Sequence, residues 1–111
     1  MGHDVRMGEF EELVLLAVAG LGREAYAVRV QQHLEAQAGR TSAMGAVYTA
    51  LDRLEKKGYV HSHLGEVTRR RGGKRKRIYQ ITGSGAEALR TLRTMRETLW
   101  AQAQPNLGFS V

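Results

Sequence analysis

The sequence predicts a mainly α fold with one small β-hairpin and a long carboxy-terminal helix. Three observations predict it. Apolar residues recur at helical spacing in four separate segments. The third of these segments is stopped by Gly58 and followed at once by a strand-like run. Seven cations, Arg69, Arg70, Arg71, Lys74, Arg75, Lys76 and Arg77, lie within nine positions between two strand-like runs. A helix that leads directly into a basic hairpin is how a winged helix-turn-helix is built. Residues 8–82 therefore read as a winged helix-turn-helix DNA-binding domain, and residues 83–104 as a carboxy-terminal dimerisation helix.

The first helix, 8–21, carries Phe10, Leu13, Val14, Ala17 and Leu21 at helical spacing. Leu15, Leu16 and Val18 make it apolar on more than one side, so it is expected to pack against two surfaces. Gly20 and Gly22 end it. A second helix from about 24 to 38 presents Tyr26, Val30 and Leu34 on one face and stops at Gly39. Thr41 or Ser42 then offers an N-cap hydroxyl to the third helix.

In that third helix Val47, Leu51 and Leu54 form the packing face, at i, i+4 and i+7. Gly45, Thr49, Asp52 and Lys56 lie opposite, flanked by Tyr48 and Arg53. Lys56, Lys57 and Gly58 mark its end, cations followed by a residue that tolerates a left-handed cap. Two short strands follow, 60–64 and 76–82, with Gly72 and Gly73 supplying the turning backbone of the hairpin tip.

Thr82 or Ser84 can cap the last helix, which runs to about Ala103 and ends before Pro105. Ala88, Leu92, Met95 and Leu99 follow a three-four spacing, with Leu89 and Trp100 widening the stripe. The other helices can form a core among themselves, so this stripe is expected to meet a second copy of the chain. Leu89, Leu92, Met95, Leu99 and Trp100 are the expected homodimer interface. Residues 2–6 and 106–111 read as loosely held ends.

Composition narrows the partners. The chain has 111 residues, 17 Lys+Arg against 11 Asp+Glu, and a formal net charge of +6. Without the seven hairpin cations that balance becomes ten against eleven, so the positive charge is a local device. A pI near 10.2 favours nucleic acid or an anionic membrane. Zero cysteines exclude disulfides, cysteine zinc sites and thiol redox sensing. No apolar run approaches a membrane span, and the amino terminus lacks the apolar core of a signal peptide, so a cytoplasmic location and no membrane partner are expected.

The expected partner is double-stranded DNA, touched by Ser42, Tyr48, Thr49 and Arg53 at the recognition helix and by the seven hairpin cations. Arginine can hold a guanine edge with two hydrogen bonds, whereas the hairpin cations suit phosphates, which demand charge and reach but little fixed geometry. Asp52 on the same face is expected to point away from the backbone or to pair with a nearby cation. His61 and His63 alternate on a strand, but with no third ligand in place they read as ordinary surface residues, and no metal or cofactor is expected. No activated nucleophile, phosphate loop or metal constellation can be assembled, so the chain does not read as an enzyme.

Taken together, several segments carry a family resemblance. They are the run from Phe10 to Ala17, the run from Gly45 to Glu55, Lys57-Gly58-Tyr59-Val60, and Arg77-Ile78-Tyr79-Gln80-Ile81-Thr82 leading to Gly85. Over nearly its whole length the chain resembles the PadR family of bacterial transcriptional regulators, and within it the short-tailed branch with one carboxy-terminal helix. The resemblance implies the winged helix-turn-helix fold, dimerisation through the last helix and a role as a repressor. It also implies that a ligand site would lie at the dimer interface, where Trp100 could stack on a small hydrophobic or aromatic effector. This chain has Ala25 before Tyr26 and Thr49 after Tyr48, where many members have glycine and proline. Two rival readings remain at this point: a sequence-neutral architectural nucleic-acid-binding protein, and a winged-helix protein-interaction module.

Overall fold

The computed structural model describes residues 5–66 and 75–108. Helix α1, Glu9–Leu21, begins with Glu9, Glu11 and Glu12, carboxylates that complement the positive end of the helix dipole. Its Val14, Leu15 and Val18 are fully buried, while Leu16 faces outward. A single 3₁₀ turn, Gly22–Glu24, follows, and helix α2 spans Ala27–Ala38. The second helix thus starts later than about residue 24. Ala25 lies outside helical angles at φ −85°, ψ 72° and Tyr26 is extended, and the Tyr79 N–H donates to the Ala25 carbonyl at 2.8 Å, which ties this link to the hairpin.

Helix α3, Met44–Lys56, has Ala43 at its N-cap and no side-chain cap. The expectation of a Thr41 or Ser42 cap is corrected here. Ser42 stands one residue too early, its carbonyl accepts from Gln31 Nε2 at 2.7 Å, and its hydroxyl oxygen is buried with no hydrogen-bond partner among the described residues. At the other end α3 closes in a Schellman motif. Gly58 takes φ +80°, its N–H reaches the Glu55 carbonyl at 3.0 Å, and the Tyr59 N–H reaches that of Leu54 at 2.9 Å.

Strands β1, Val60–Leu64, and β2, Arg77–Ile81, pair antiparallel, with Val60 opposite Ile81, Ser62 opposite Tyr79 and Leu64 opposite Arg77. Val60 and Tyr79 turn inward and complete a core built from Val14, Leu15 and Val18 of α1, Val30 and Leu34 of α2, and Val47, Leu51 and Leu54 of α3. Each such side chain contributes roughly 1.5–3 kcal/mol when removed from water, so the three helices and the hairpin hold one another in place.

Helix α4, Gly83–Ala103, is capped as expected: Thr82 Oγ1 accepts from the Gly85 N–H at 3.0 Å. Its first half packs on the body. Ala88 and Leu92 are buried and Leu89 lies partly buried against the core. Leu92 is therefore spent on the chain's own interior, which corrects the expectation that the whole stripe faces a second copy. A long-range ion pair fastens the next turn, with Arg96 Nη1 2.5 Å from Glu12 Oε2 of α1. The outward part of the stripe is Met95, Leu99 and Trp100.

Candidate nucleic-acid interface

The amphipathic pattern of α3 turns Val47, Leu51 and Leu54 inward, and that leaves Tyr48, Thr49, Asp52, Arg53 and Lys56 exposed on one continuous face. Tyr48 is 53% exposed, a large aromatic surface for water to hold. Asp52 pairs with Lys56 one turn on, at 3.0 Å, so these two charges cancel locally. Arg53 lies 3.8 Å from Glu11 of α1. Ser42 is not part of this face, because its hydroxyl is turned inward.

The hairpin root stands beside α3. Arg77 Nη1 donates to Ser62 Oγ at 3.0 Å, and Ser62 Oγ donates to Glu55 Oε2 of α3 at 2.8 Å. This chain of hydrogen bonds couples the hairpin to α3. Lys76 Nζ sits 3.2 Å from the centre of the Tyr26 ring, a cation–π contact, and Arg75 is exposed. Arg69, Arg70, Arg71 and Lys74, together with Gly72 and Gly73, lie outside the described residues. The Tyr79 phenol behind α3 is pushed above its ordinary value by burial and then by the nearby Glu55 carboxylate, with Arg77 pulling the other way.

Sequence reasoning missed the contacts that tie the elements of this face together. Glu11, Lys57 and Ser62 act on residues distant in the chain or on another element, and no local periodicity marks such pairs. Lys57 was legible only as a helix-end cation, yet its Nζ lies 2.6 Å from both Glu11 Oε1 and the Arg6 carbonyl. Among the described residues no group of three or more His, Cys, Asp or Glu side chains could hold a metal ion.

A second surface lies between α1 and α4. A groove of about 630 Å³ is lined by Leu16, Leu89 and Trp100 among others, with Glu12 and Arg96 at its side. Trp100 is 65% exposed there.

Comparison with known proteins decides the family. The profile of the Transcriptional regulator PadR-like family matches residues 15–91, from the middle of α1 through the first half of α4. The chain belongs to this family. Solved PadR structures share its fold. A PadR family transcription regulator from Clostridium difficile R20291 superposes with a TM-score of 0.72 at 20% identity, over 91% of this chain and 100% of that one. A PadR-like transcription factor from Bacteroides fragilis gives 0.72 at 24%, over 86% of each chain. A PadR family regulator from Eggerthella lenta DSM 2243 gives 0.68 at 26%, over 92% and 88%. No protein of curated function matches the chain. As a PadR-like chain it is a transcriptional regulator and not an enzyme. Among the described residues no helix is long and apolar enough to cross a membrane.

Proposed function

We propose that this PadR-like chain is a homodimeric, sequence-specific DNA-binding repressor. The observation that carries the reading is the exposed Tyr48, Thr49 and Arg53 face of α3, set beside the cationic root of the hairpin at Arg75 and Arg77. Two such helices, one from each protomer, would enter successive major grooves of a promoter palindrome, roughly 34 Å apart, while the hairpins hold flanking phosphates. Met95, Leu99 and Trp100 would join the protomers, with Leu89 at the edge of that interface. Occupying the promoter would block transcription. A planar aromatic effector stacking on Trp100 in the α1–α4 groove would change the angle between the protomers and release the DNA.

Fluorescence anisotropy tests the DNA reading, with the protein titrated onto a duplex from upstream of its own gene and onto a scrambled duplex at low and at physiological salt. Preference for the upstream duplex that survives physiological salt supports the reading. Equal binding that vanishes with salt supports the architectural alternative, and no binding at either salt supports a protein-interaction module. The effector reading is tested by quenching of Trp100, the sole tryptophan of the chain, with planar aromatic compounds. No response across a broad panel sinks it.

A further inference from the structure

The exposed face of α3 carries two cations with different surroundings. Lys56 is matched by Asp52 at 3.0 Å. Arg53 makes no hydrogen bond among the described residues and remains 64% exposed. Its nearest carboxylate is Glu11 of α1, whose Oε2 lies 3.8 Å from Nη1. Glu11 is itself held firmly: its side chain is largely buried, and its other oxygen takes the Lys57 ammonium at 2.6 Å while Lys57 also donates to the Arg6 carbonyl. One Glu11 oxygen is thus anchored and the other is turned to Arg53. At 3.8 Å the attraction orients the guanidinium but uses none of its five donors, which stay available for a phosphate or a guanine edge.

We propose that Glu11 is a positioning residue for DNA binding, which aims Arg53 of the recognition helix and acts through it. The proposal rests on the reading of α3 as the DNA-contacting helix. It carries an uncommon signature. Glu11 is a negative charge close to the expected phosphates, so its removal strengthens sequence-neutral binding while it releases Arg53 and weakens discrimination. A merely structural carboxylate would weaken both together.

The test uses Glu11→Gln, Arg53→Ala and the double variant, each titrated by anisotropy onto the upstream and scrambled duplexes at one salt concentration. Glu11→Gln is expected to bind the scrambled duplex as tightly as the parent or tighter. It is expected to lower the preference for the upstream duplex about threefold to fivefold, the scale of one exposed ion pair. In the Arg53→Ala background the same change is expected to alter that preference by less than about 1.5-fold, because the partner is gone. An equal loss in both backgrounds, or no loss in the parent background, overturns the proposal. A readout without DNA separates it from the functional reading: the Arg53 Nε–H order parameter, measured by NMR, is expected to fall in Glu11→Gln. An unchanged order parameter overturns the Glu11 proposal even if the parent binds DNA specifically, whereas a parent that binds neither duplex overturns the DNA reading. Should Glu11→Gln lose helix content, Glu11→Asp, which keeps the charge but shortens the reach, is expected to lower the preference for the upstream duplex while binding the scrambled duplex as the parent does, and an unchanged preference overturns the proposal.

Discussion

Gly85 stands so close to Tyr59 that a Cβ on residue 85 would lie 2.2 Å from the Tyr59 carbonyl oxygen, with Ile81 Cγ1 at 2.9 Å. Thr82 causes the approach. Its Oγ1 accepts from the Gly85 N–H and donates to the Gly58 carbonyl at 2.7 Å, and its own N–H reaches the Tyr59 carbonyl at 3.0 Å. The joint between the winged body and α4 is therefore backbone against backbone, and it sets the direction in which α4 leaves the body.

Gly85→Ala is expected to destabilise the protein by about 3 kcal/mol or more, since the clash is with main chain that cannot rotate away. In thermal unfolding this appears as a fall in Tm of more than about 10 °C. Gly83→Ala, where nothing stands within 4 Å, is the control. It is expected to shift stability by less than about 0.5 kcal/mol.

The outward stripe of α4 and its inward part separate by substitution. Leu99→Glu places a charge on an exposed position and is expected to turn a dimer into a monomer in sedimentation equilibrium while the far-UV helix signal is retained. Leu92→Ala opens a cavity in the chain's own interior and is expected to cost about 2–4 kcal/mol of stability. A monomeric parent protein, or a dimer untouched by Leu99→Glu, contradicts the assignment.

Much of this architecture was legible in the sequence because it is local. The i, i+4, i+7 pattern of Val47, Leu51 and Leu54 needs no knowledge of the rest of the fold, nor does the Thr82 cap three residues ahead of the N–H it receives. The misses arise where distant segments override local preference. The Ala25 carbonyl is tied to the Tyr79 N–H and residues 25 and 26 stay out of the helix, Ser42 is turned inward at the α2–α3 turn, and Leu92 finds cover on its own body. The Glu12–Arg96 pair spans 84 positions, and only the folded chain reveals it.

The recognition helix and the hairpin are expected to divide the work. Arg75→Ala with Arg77→Ala should weaken binding to every duplex and flatten the salt slope by about two, one for each phosphate left without its cation. Tyr48→Ala should weaken binding to the upstream duplex and leave scrambled DNA nearly unaffected. Equal losses on both duplexes for both variants would contradict this division.

Tyr79 adds an alkaline dependence to stability. Its phenol is neutral when protonated, and burial raises its folded pKa above the ordinary 10.0, so the folded state holds the proton more tightly than the unfolded chain. The stabilisation is complete below about pH 10 and is lost as pH rises above that value through the folded pKa. Spectrophotometric titration is expected to show a late-titrating phenol that Tyr79→Phe removes. In chemical denaturation the parent is expected to lose more stability than Tyr79→Phe as pH rises from about 10 to about 11.

Two α3 helices of one dimer are proposed to grip neighbouring turns of a specific duplex, and hydroxyl-radical footprinting of the region upstream of the gene tests this most directly. Two protected stretches with related sequence are expected, centred roughly one helical turn, about 10 base pairs, apart, and both lost in the Tyr48→Ala protein. Uniform protection along the duplex, or protection that moves with the ends of the fragment, would contradict it.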